Sequence, residues 1–244
     1  MLRGLRIEWS KVEDRGGYPY DIPAIAQIEE LDLNASVTIF VGANGSGKST
    51  LLEAIATQLR CNPEGGSRNF AFSTENTLSP LHRTIRLITG APVHKDAFFY
   101  RADTYFNVAT EMRRLDGEAS FGPPVVSSYG GTDLHDLSHG QAVIRLLRHR
   151  FSPRGIYVMD EPEAALAPET QFEAIAAIAD LTRRGAQFVL ATHSPLLMAM
   201  PGATLYELTE HGLERRAYHE LGHVRLYKRF LADPASVLAH LTED

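Results

Sequence analysis

Residues 36–50 read Ser-Val-Thr-Ile-Phe-Val-Gly-Ala-Asn-Gly-Ser-Gly-Lys-Ser-Thr. The β-branched and aromatic run at 37–41 predicts a buried strand, and residues 51–59 continue with helix-compatible spacing. Between them, residues 42–49 fit the pattern G-x-x-x-x-G-K-[ST]. A glycine-rich turn can match this pattern by chance, but strand, glycine loop and helix in this order favour a phosphate-binding loop.

The chemistry of this loop predicts a nucleoside triphosphate ligand. Its glycines let successive backbone N–H groups curl around an anion, and the following helix directs its positive N-terminus at the same point. The Lys48 side chain is expected to reach the β- and γ-phosphates, and the Ser49 hydroxyl is expected to ligate Mg²⁺. The residues predicted to contact ATP are Gly42, Ala43, Asn44, Gly45, Ser46, Gly47, Lys48, Ser49 and Thr50.

Composition limits the class of protein. A length of 244 residues suits one α/β domain over 1–244, with 68–137 as a candidate helical or irregular subdomain. The 24 basic and 30 acidic residues give a formal charge of −6, which does not support a nucleic-acid-binding surface, although a local basic patch stays open. Cys61 is the only cysteine, so a reducing compartment is expected. With no apolar run of membrane-spanning length, the sequence predicts a cytoplasmic protein without membrane insertion.

Strands and helices alternate after the phosphate loop. Apolar runs predict strands at 96–101, 155–160 and 186–192, and Pro168 opens a helix. Residues 2–9 are read as an edge strand, while 78–89 fit a helix or an extended segment equally well. The expected fold is a P-loop α/β domain with a mostly parallel, covered sheet, an N-terminal antiparallel β portion and a small helical subdomain.

Two carboxylates follow the strand at 155–160. Asp160 and Glu161 are expected at its C-terminal end, where ligands bind in open α/β sheets. Asp160 is the candidate Mg²⁺ ligand, and Glu161 is the candidate general base for an attacking water. The alternative is a pair of solvated acids at the start of a loop, which the upstream phosphate loop disfavours.

A second short motif precedes a helix. Residues 137–141 read Leu-Ser-His-Gly-Gln, and Ser138 precedes Asp160 by 22 residues. Ser138 and the Gly140 backbone suit an anion at the helix N-terminus, but the same pattern also describes an ordinary helix cap.

The order of these motifs resembles the ATP-binding-cassette ATPases. The resemblance implies that Lys48, Glu161 and His193 are catalytic, His193 by hydrogen bonding to the γ-phosphate, although a lone histidine after a strand is more often structural. It also implies that residues 163–166 communicate across a dimer. The signature residues that would contact ATP held by the opposite subunit are Ser138, His139, Gly140 and Gln141.

The resemblance extends over nearly the whole chain to bacterial stand-alone ATPases of the AAA/ABC type, related to the DNA-repair and SMC-like branch. It is carried by segments 62–70, 101–110, 160–166, 191–197 and 201–208. There are two departures. His139 replaces a signature glycine, and Arg101, Ala102 and Asp103 stand where a glutamine loop is expected.

The sequence therefore predicts a Mg²⁺-dependent ATPase that closes as a homodimer on two ATP molecules. Its protein partner and coupled process, repair or defence among others, stay open. The alternatives are the ATP-hydrolysing subunit of a transporter and a nucleotide-gated interaction module. The 90 residues from Lys48 to Ser138 are too few for a long coiled coil. The adenine contact is also undecided, because Tyr18 and Tyr20 fit either base stacking or a partly buried loop.

Overall fold

The computed structural model describes residues 1–67, 78–91, 94–117 and 124–242. The strands are β1 (Leu2–Ile7), β2 (Glu30–Asp32), β3 (Val37–Gly42), β4 (Ile85–Thr89), β5 (Asp96–Arg101), β6 (Gly155–Asp160), β7 (Gln187–Ala191), β8 (Thr204–Thr209) and β9 (Gly212–Arg216). The helices are α1 (Pro23–Ala26), α2 (Lys48–Gln58), α3 (Leu81–Thr84), α4 (Tyr105–Gly117), α5 (His139–Arg145), α6 (Pro168–Arg183), α7 (Pro195–Met198), α8 (Gly222–Ala232) and α9 (Pro234–Thr242).

The larger sheet has six strands in the order β5-β6-β7-β3-β8-β9. Every neighbouring pair is parallel except the terminal β8–β9 hairpin. Alternate residues of β3 enter different cores, since Val37 and Ile39 pack in one cluster and Phe40 in the other. The sheet is thus covered on both faces, which confirms the predicted α/β class and explains why β3, β6 and β7 are buried throughout.

A smaller antiparallel sheet has the order β2-β1-β4 and packs beside α2. The sequence predicts an edge strand at 2–9, and that position is wrong because β1 pairs on both sides. The Gln187 side chain joins the sheets, since its amide donates to the Leu2 and Leu33 carbonyls at 2.8 and 2.7 Å. The undecided segment 78–89 contains both structures, α3 followed by β4.

Residues 68–137 contribute to several parts of the fold. Within its described portion, β4 lies in the antiparallel sheet and β5 at the edge of the larger sheet, while α4 supplies the helical part. Residues 68–77, 92–93 and 118–123 lie outside the described ranges, and they include the end of the motif at 62–70. The division of the chain into one domain with a subdomain stays a prediction.

Candidate nucleotide-binding site

The loop between β3 and α2 has the backbone that an anion-binding turn needs. Gly47 has a φ of +97°, in the left-handed region that favours glycine, and α2 begins at the next residue as predicted. A Cβ atom added at Gly42 would lie 2.5 Å from the Leu208 carbonyl oxygen. Side chains at these positions would therefore strain or displace the loop.

The Lys48 ammonium lies folded over this loop. Its Nζ donates to the carbonyl oxygens of Gly42 at 2.8 Å and Ala43 at 2.9 Å, and the residue is only 5% exposed. Burial lowers the pKa of Lys48, while the nearby carboxylates of Glu161 and Asp160 act in the opposite direction. The structure thus brings the predicted phosphate-binding lysine together with the predicted acidic residues.

Asp160 ends β6 in register with Arg101 of β5 and Ala191 of β7. It is 7% exposed, and its Oδ1 has no hydrogen-bond partner among the described residues. Burial raises the pKa of Asp160 to about 6, although a hydrogen bond with Ser49 and the Arg101 charge oppose the shift. A buried carboxylate of this kind needs a cation or a proton to offset its desolvation.

The same oxygens fit Mg²⁺. The Ser49 hydroxyl and the Asp160 carboxylate are hard oxygen donors of the type that Mg²⁺ takes together with water and substrate phosphates. The described residues hold no group of three or more His, Cys, Asp or Glu side chains suited to a metal. An ion here would accordingly depend on phosphate oxygens as well as on the protein.

Glu161 occupies a strained backbone conformation. Its φ of +48° lies in the left-handed region, which a residue with a side chain adopts at a cost. Its N–H donates to the Ala191 carbonyl at 3.0 Å, and its Oε1 lies 3.5 Å from His193 Nε2. The turn after β6 therefore places Glu161 beside the histidine that follows β7.

His193 is fixed through its backbone and its ring. Its N–H donates to Glu163 Oε1 at 2.6 Å, and its Nδ1 lies 3.4 Å from His223 Nε2 on α8. Its buried Nε2 has no hydrogen-bond partner within the described ranges. Burial lowers the pKa of His193, the Lys48 charge adds to this and Glu161 opposes it, so the neutral imidazole is favoured.

Two contacts of His193 were absent from the sequence interpretation. The resemblance places Glu163 in the segment that communicates across a dimer, and in addition its side chain accepts a hydrogen bond from the His193 N–H. A second acid two residues after Glu161 was the available signal. His223 gave no signal, because a single histidine near the start of a C-terminal helix has no characteristic spacing.

Arg101 ends β5, at the position where the resemblance implies a glutamine loop. Its guanidinium donates to Glu53 of α2 at 3.1 Å and to Asp103 at 2.9 Å. Its charge also lowers the pKa of Asp160, against the larger effect of burial. The end of β5 therefore presents a paired cation to the candidate metal ligand.

The signature segment forms a capping box. Ser138 Oγ accepts from the Gln141 N–H at 3.3 Å, and the Ser138 N–H donates to Gln141 Oε1 at 3.0 Å. A Cβ atom at Gly140 would lie 2.7 Å from the Ala165 carbonyl oxygen, which accounts for glycine at that position. The ordinary cap is thus present, and an anion contact by this segment stays a prediction.

The signature lies in a different cavity from the phosphate loop. A cavity of about 460 Å³ has Ser138, Gly140 and Ala165 among its lining residues, all of which lie within 137–173. Asp160 and Glu161 act on the pKa of Lys48, and Lys48 and Glu161 act on the pKa of His193, whereas no phosphate-loop residue lines the signature cavity. The phosphate loop and the signature therefore do not share this cavity.

The two loop tyrosines separate clearly. Tyr20 is 7% exposed, and its hydroxyl contacts Thr84 at 2.9 Å, so it belongs to the core. Tyr18 is 60% exposed, and its hydroxyl lies 3.0 Å from Thr50 Oγ1 at the start of α2. Of the two, only Tyr18 offers an accessible ring beside the phosphate loop.

Family models match both halves of this site. The model described as "AAA domain" matches residues 24–92, which include the phosphate loop. The model described as "AAA domain, putative AbiEii toxin, Type IV TA system" matches residues 120–199, which include the signature, Asp160 and His193. No helix in the described part of the chain is both long and apolar enough to span a membrane.

Curated relatives of this chain are ATP-binding proteins. The cytochrome c biogenesis ATP-binding export protein CcmA of Rhodopseudomonas palustris (strain HaA2) is 31% identical over 165 residues, covering 64% of this chain and 77% of the relative. The hemin import ATP-binding protein HmuV of Nocardia farcinica (strain IFM 10152) is 28% identical over 199 residues, covering 78% of this chain and 68% of the relative.

The fold agrees with these relatives. The ADP conformation of an ATP-binding cassette of an ABC transporter matches with a TM-score of 0.50 at 19% identity, covering 100% of this chain and 99% of the solved chain. A P-loop, a parallel sheet and carboxylates at the end of β6 define a nucleotide-binding α/β protein. The chain belongs to the ATP-binding-cassette ATPases.

Proposed function

We propose that this chain hydrolyses Mg²⁺-ATP at the C-terminal edge of its parallel sheet. The observation that carries the proposal is a set of buried polar atoms at that edge which have no partner in the described part of the chain, among them Ser46 Oγ, Asp160 Oδ1 and His193 Nε2. Such atoms are costly unless a ligand satisfies them. Together with the Lys48 ammonium, they provide acceptors and donors for a metal-bound triphosphate.

Each residue has a distinct role in this proposal. The loop amides and Lys48 bind the β- and γ-phosphates, which requires the ammonium to leave the Gly42 and Ala43 carbonyls. Ser49 and Asp160 hold Mg²⁺, which neutralises charge on the phosphates when bound. Glu161 orients the attacking water and accepts its proton as the bond to the γ-phosphorus forms and ADP departs. His193 Nε2 donates to a γ-phosphate oxygen.

The adenine ring of ATP is proposed to stack on the side chain of Tyr18. Its exposed ring lies within reach of Thr50, and stacking on an aromatic face requires no base-specific hydrogen bond. This contact would bind the nucleotide from the loop before α1.

ATP is proposed to close two copies of the chain. The signature residues line a cavity that includes no phosphate-loop residue, which supports a contact of Ser138 and Gly140 with the γ-phosphate held by a second copy. Ser138 is already held by its capping box, which presents the helix N-terminus in a fixed orientation. Closure would therefore require little reordering of this segment.

Phosphate release provides the test of hydrolysis. Glu161→Gln removes the base with little change in volume, so turnover should fall by roughly 10²–10⁴, the range for losing a general base. Mg²⁺-ATP binding, measured by calorimetry, should persist. Glu210→Gln is the matched control, because the Glu210 carboxylate is 85% exposed in the β8–β9 hairpin. This variant should hydrolyse ATP at the wild-type rate. Equal turnover in wild type and Glu161→Gln would contradict the assignment of the base.

A second candidate is the ATP-hydrolysing subunit of a transporter. The relatives CcmA and HmuV carry export and import in their names, which favours this reading. The family model that names a toxin system instead favours a nucleotide-gated module in defence, and the resemblance to the repair branch leaves repair open. Capture of partners by tagged Glu161→Gln in the native host distinguishes these, because only the transporter reading requires a membrane protein to copurify.

A further inference from the structure

The two ring nitrogens of His193 have different surroundings. Nε2 lies 3.5 Å from Glu161 Oε1 and lacks a hydrogen-bond partner in the described residues. Nδ1 lies 3.4 Å from His223 Nε2. The ring centroids are 5.5 Å apart with an interplanar angle of 55°, so the two imidazoles meet through their nitrogens without stacking.

The contact between the rings determines where the proton of a neutral His193 lies. If His193 Nδ1 donates, its Nε2 becomes an acceptor facing both the Glu161 carboxylate and a phosphate, which are also acceptors. If His223 Nε2–H donates instead, His193 Nδ1 accepts and His193 Nε2 carries the proton. The nearby carboxylate favours the second arrangement, because an N–H facing it is attracted and a lone pair is repelled.

We propose that His223 is a positioning residue that holds His193 as its Nε2–H tautomer, ready to donate to the γ-phosphate. The proposal rests on the proposed function only in naming the γ-phosphate as the acceptor. The orientation of His193 by His223 concerns the protein without nucleotide and stands on the contacts above.

The start of α8 holds His223 in place. The Gly222 N–H donates to Glu207 Oε1 of β8 at 2.8 Å, and Leu221 and Val224 are buried in the core on either side. Burial, His193 and Lys48 lower the pKa of His223, and Glu207 opposes them, which agrees with a neutral donor. The helix therefore connects the C-terminal part of the chain to the histidine of the active site.

Two substitutions of His223 separate the proton donor from the bulk of the ring. His223→Leu removes the donor, so kcat for ATP hydrolysis should fall by about 3–10-fold, the loss expected for one hydrogen bond. KM should stay within about twofold, because the contact acts mainly on the transition state. His223→Gln keeps an N–H at a similar reach and should restore most of kcat. His219→Leu, at an exposed histidine just before α8, is the matched control and should behave as wild type.

A double-mutant cycle tests whether His223 acts through His193. In the His193→Ala background, His223→Leu should have no further effect on kcat, since the ring that it orients is gone. An equal loss in both backgrounds, or failure of His223→Gln to rescue, would overturn the positioning role and leave a packing role for His223.

Nitrogen-15 NMR of the imidazole rings tests the tautomer without nucleotide or activity, with His193→Ala assigning the signals. Wild type and His223→Gln should show His193 protonated at Nε2, and His223→Leu should show a mixture of the two tautomers. If the protein does not hydrolyse ATP, the proposed function fails while this measurement still decides the inference. An unchanged tautomer in His223→Leu would refute the inference even if hydrolysis is confirmed.

Discussion

The polar groups beside the phosphate loop, at the C-terminal edge of the sheet, differ from those at the start of α5 in whether hydrogen bonds satisfy them. At the first, Asp160 Oδ1 and His193 Nε2 are buried without partners in the described part of the chain. At the second, Ser138 and Gln141 satisfy each other through a reciprocal pair of hydrogen bonds. The first region stores unfavourable energy that a ligand would relieve, whereas the second is stable by itself and open to a cavity.

This difference indicates what each region contributes to nucleotide binding. A site with strain at Glu161 and desolvation at Asp160 gains most from bound Mg²⁺-ATP. The preformed cap at Ser138 changes little on binding, and it contributes a fixed surface and the N-terminus of α5 to the contact. The proposed dimer would join one region of each kind across its interface.

The largest effect on stability is expected at Asp160. The unfolded carboxyl titrates near pH 4 and the folded one, with its raised pKa, near pH 6. The folded protein thus holds the proton more tightly, and the unfavourable term appears as pH rises from 4 through 6. Without Mg²⁺ or nucleotide, Asp160→Asn should match wild type near pH 4 and exceed it by about 3 kcal/mol above pH 7.

Urea unfolding across this pH range measures the difference between the two proteins. Addition of Mg²⁺ and ATP should make wild type the more stable protein, because Asp160→Asn lacks one of the two proposed metal ligands. A stability difference that does not change with pH would show that burial does not raise the pKa of Asp160.

The next effect is expected at Lys48. Lys48→Ala removes the charge from the phosphate loop, so the affinity for ATP should fall about tenfold or more, since a hydrogen bond to a charged group contributes roughly 1.5–3 kcal/mol. Calorimetry measures this loss, with Lys11→Ala as a control at an exposed ion pair. Wild-type affinity in Lys48→Ala would refute the assignment of the loop.

The smallest effect is expected at the signature cap. Ser138→Ala should destabilise the nucleotide-free protein by about 1 kcal/mol, the usual cost of losing an N-cap side chain. Gln141→Ala breaks the other half of the same capping box, so the double variant should lose less than the sum of the single losses. Strict additivity in urea unfolding would show that the two side chains act independently.

Much of the fold and site was predictable because local patterns determined it. The buried run of β3, the glycines of the loop and the acids after β6 each report on their own neighbourhood, and the structure places them as expected. Pairing between distant segments was not predictable. The hydrophobic pattern of β1 is the same for a middle strand as for an edge strand, and its partners β2 and β4 are far apart in sequence.

The surroundings of His193 show the same limit. Its position after β7 followed from the sequence, but its partners come from the turn after β6 and from α8. Each partner lies 30 residues away, and a contact between single side chains leaves no periodic pattern to detect. The role of Arg101 likewise depends on its partner Glu53 in α2.

The central claim, that ATP joins the phosphate loop of one chain to the signature of another, is tested most directly by light scattering. Glu161→Gln binds ATP without rapid hydrolysis, so it should gain mass toward a dimer with Mg²⁺-ATP relative to its nucleotide-free state. Adding Ser138→Arg should abolish that gain while ATP binding to the single chain persists. Adding Ser138→Ala, which removes the proposed hydroxyl contact without adding bulk, should weaken the dimer less than Ser138→Arg does. An ATP-dependent dimer that survives Ser138→Arg would contradict the account and leave residues 137–141 as a helix cap alone.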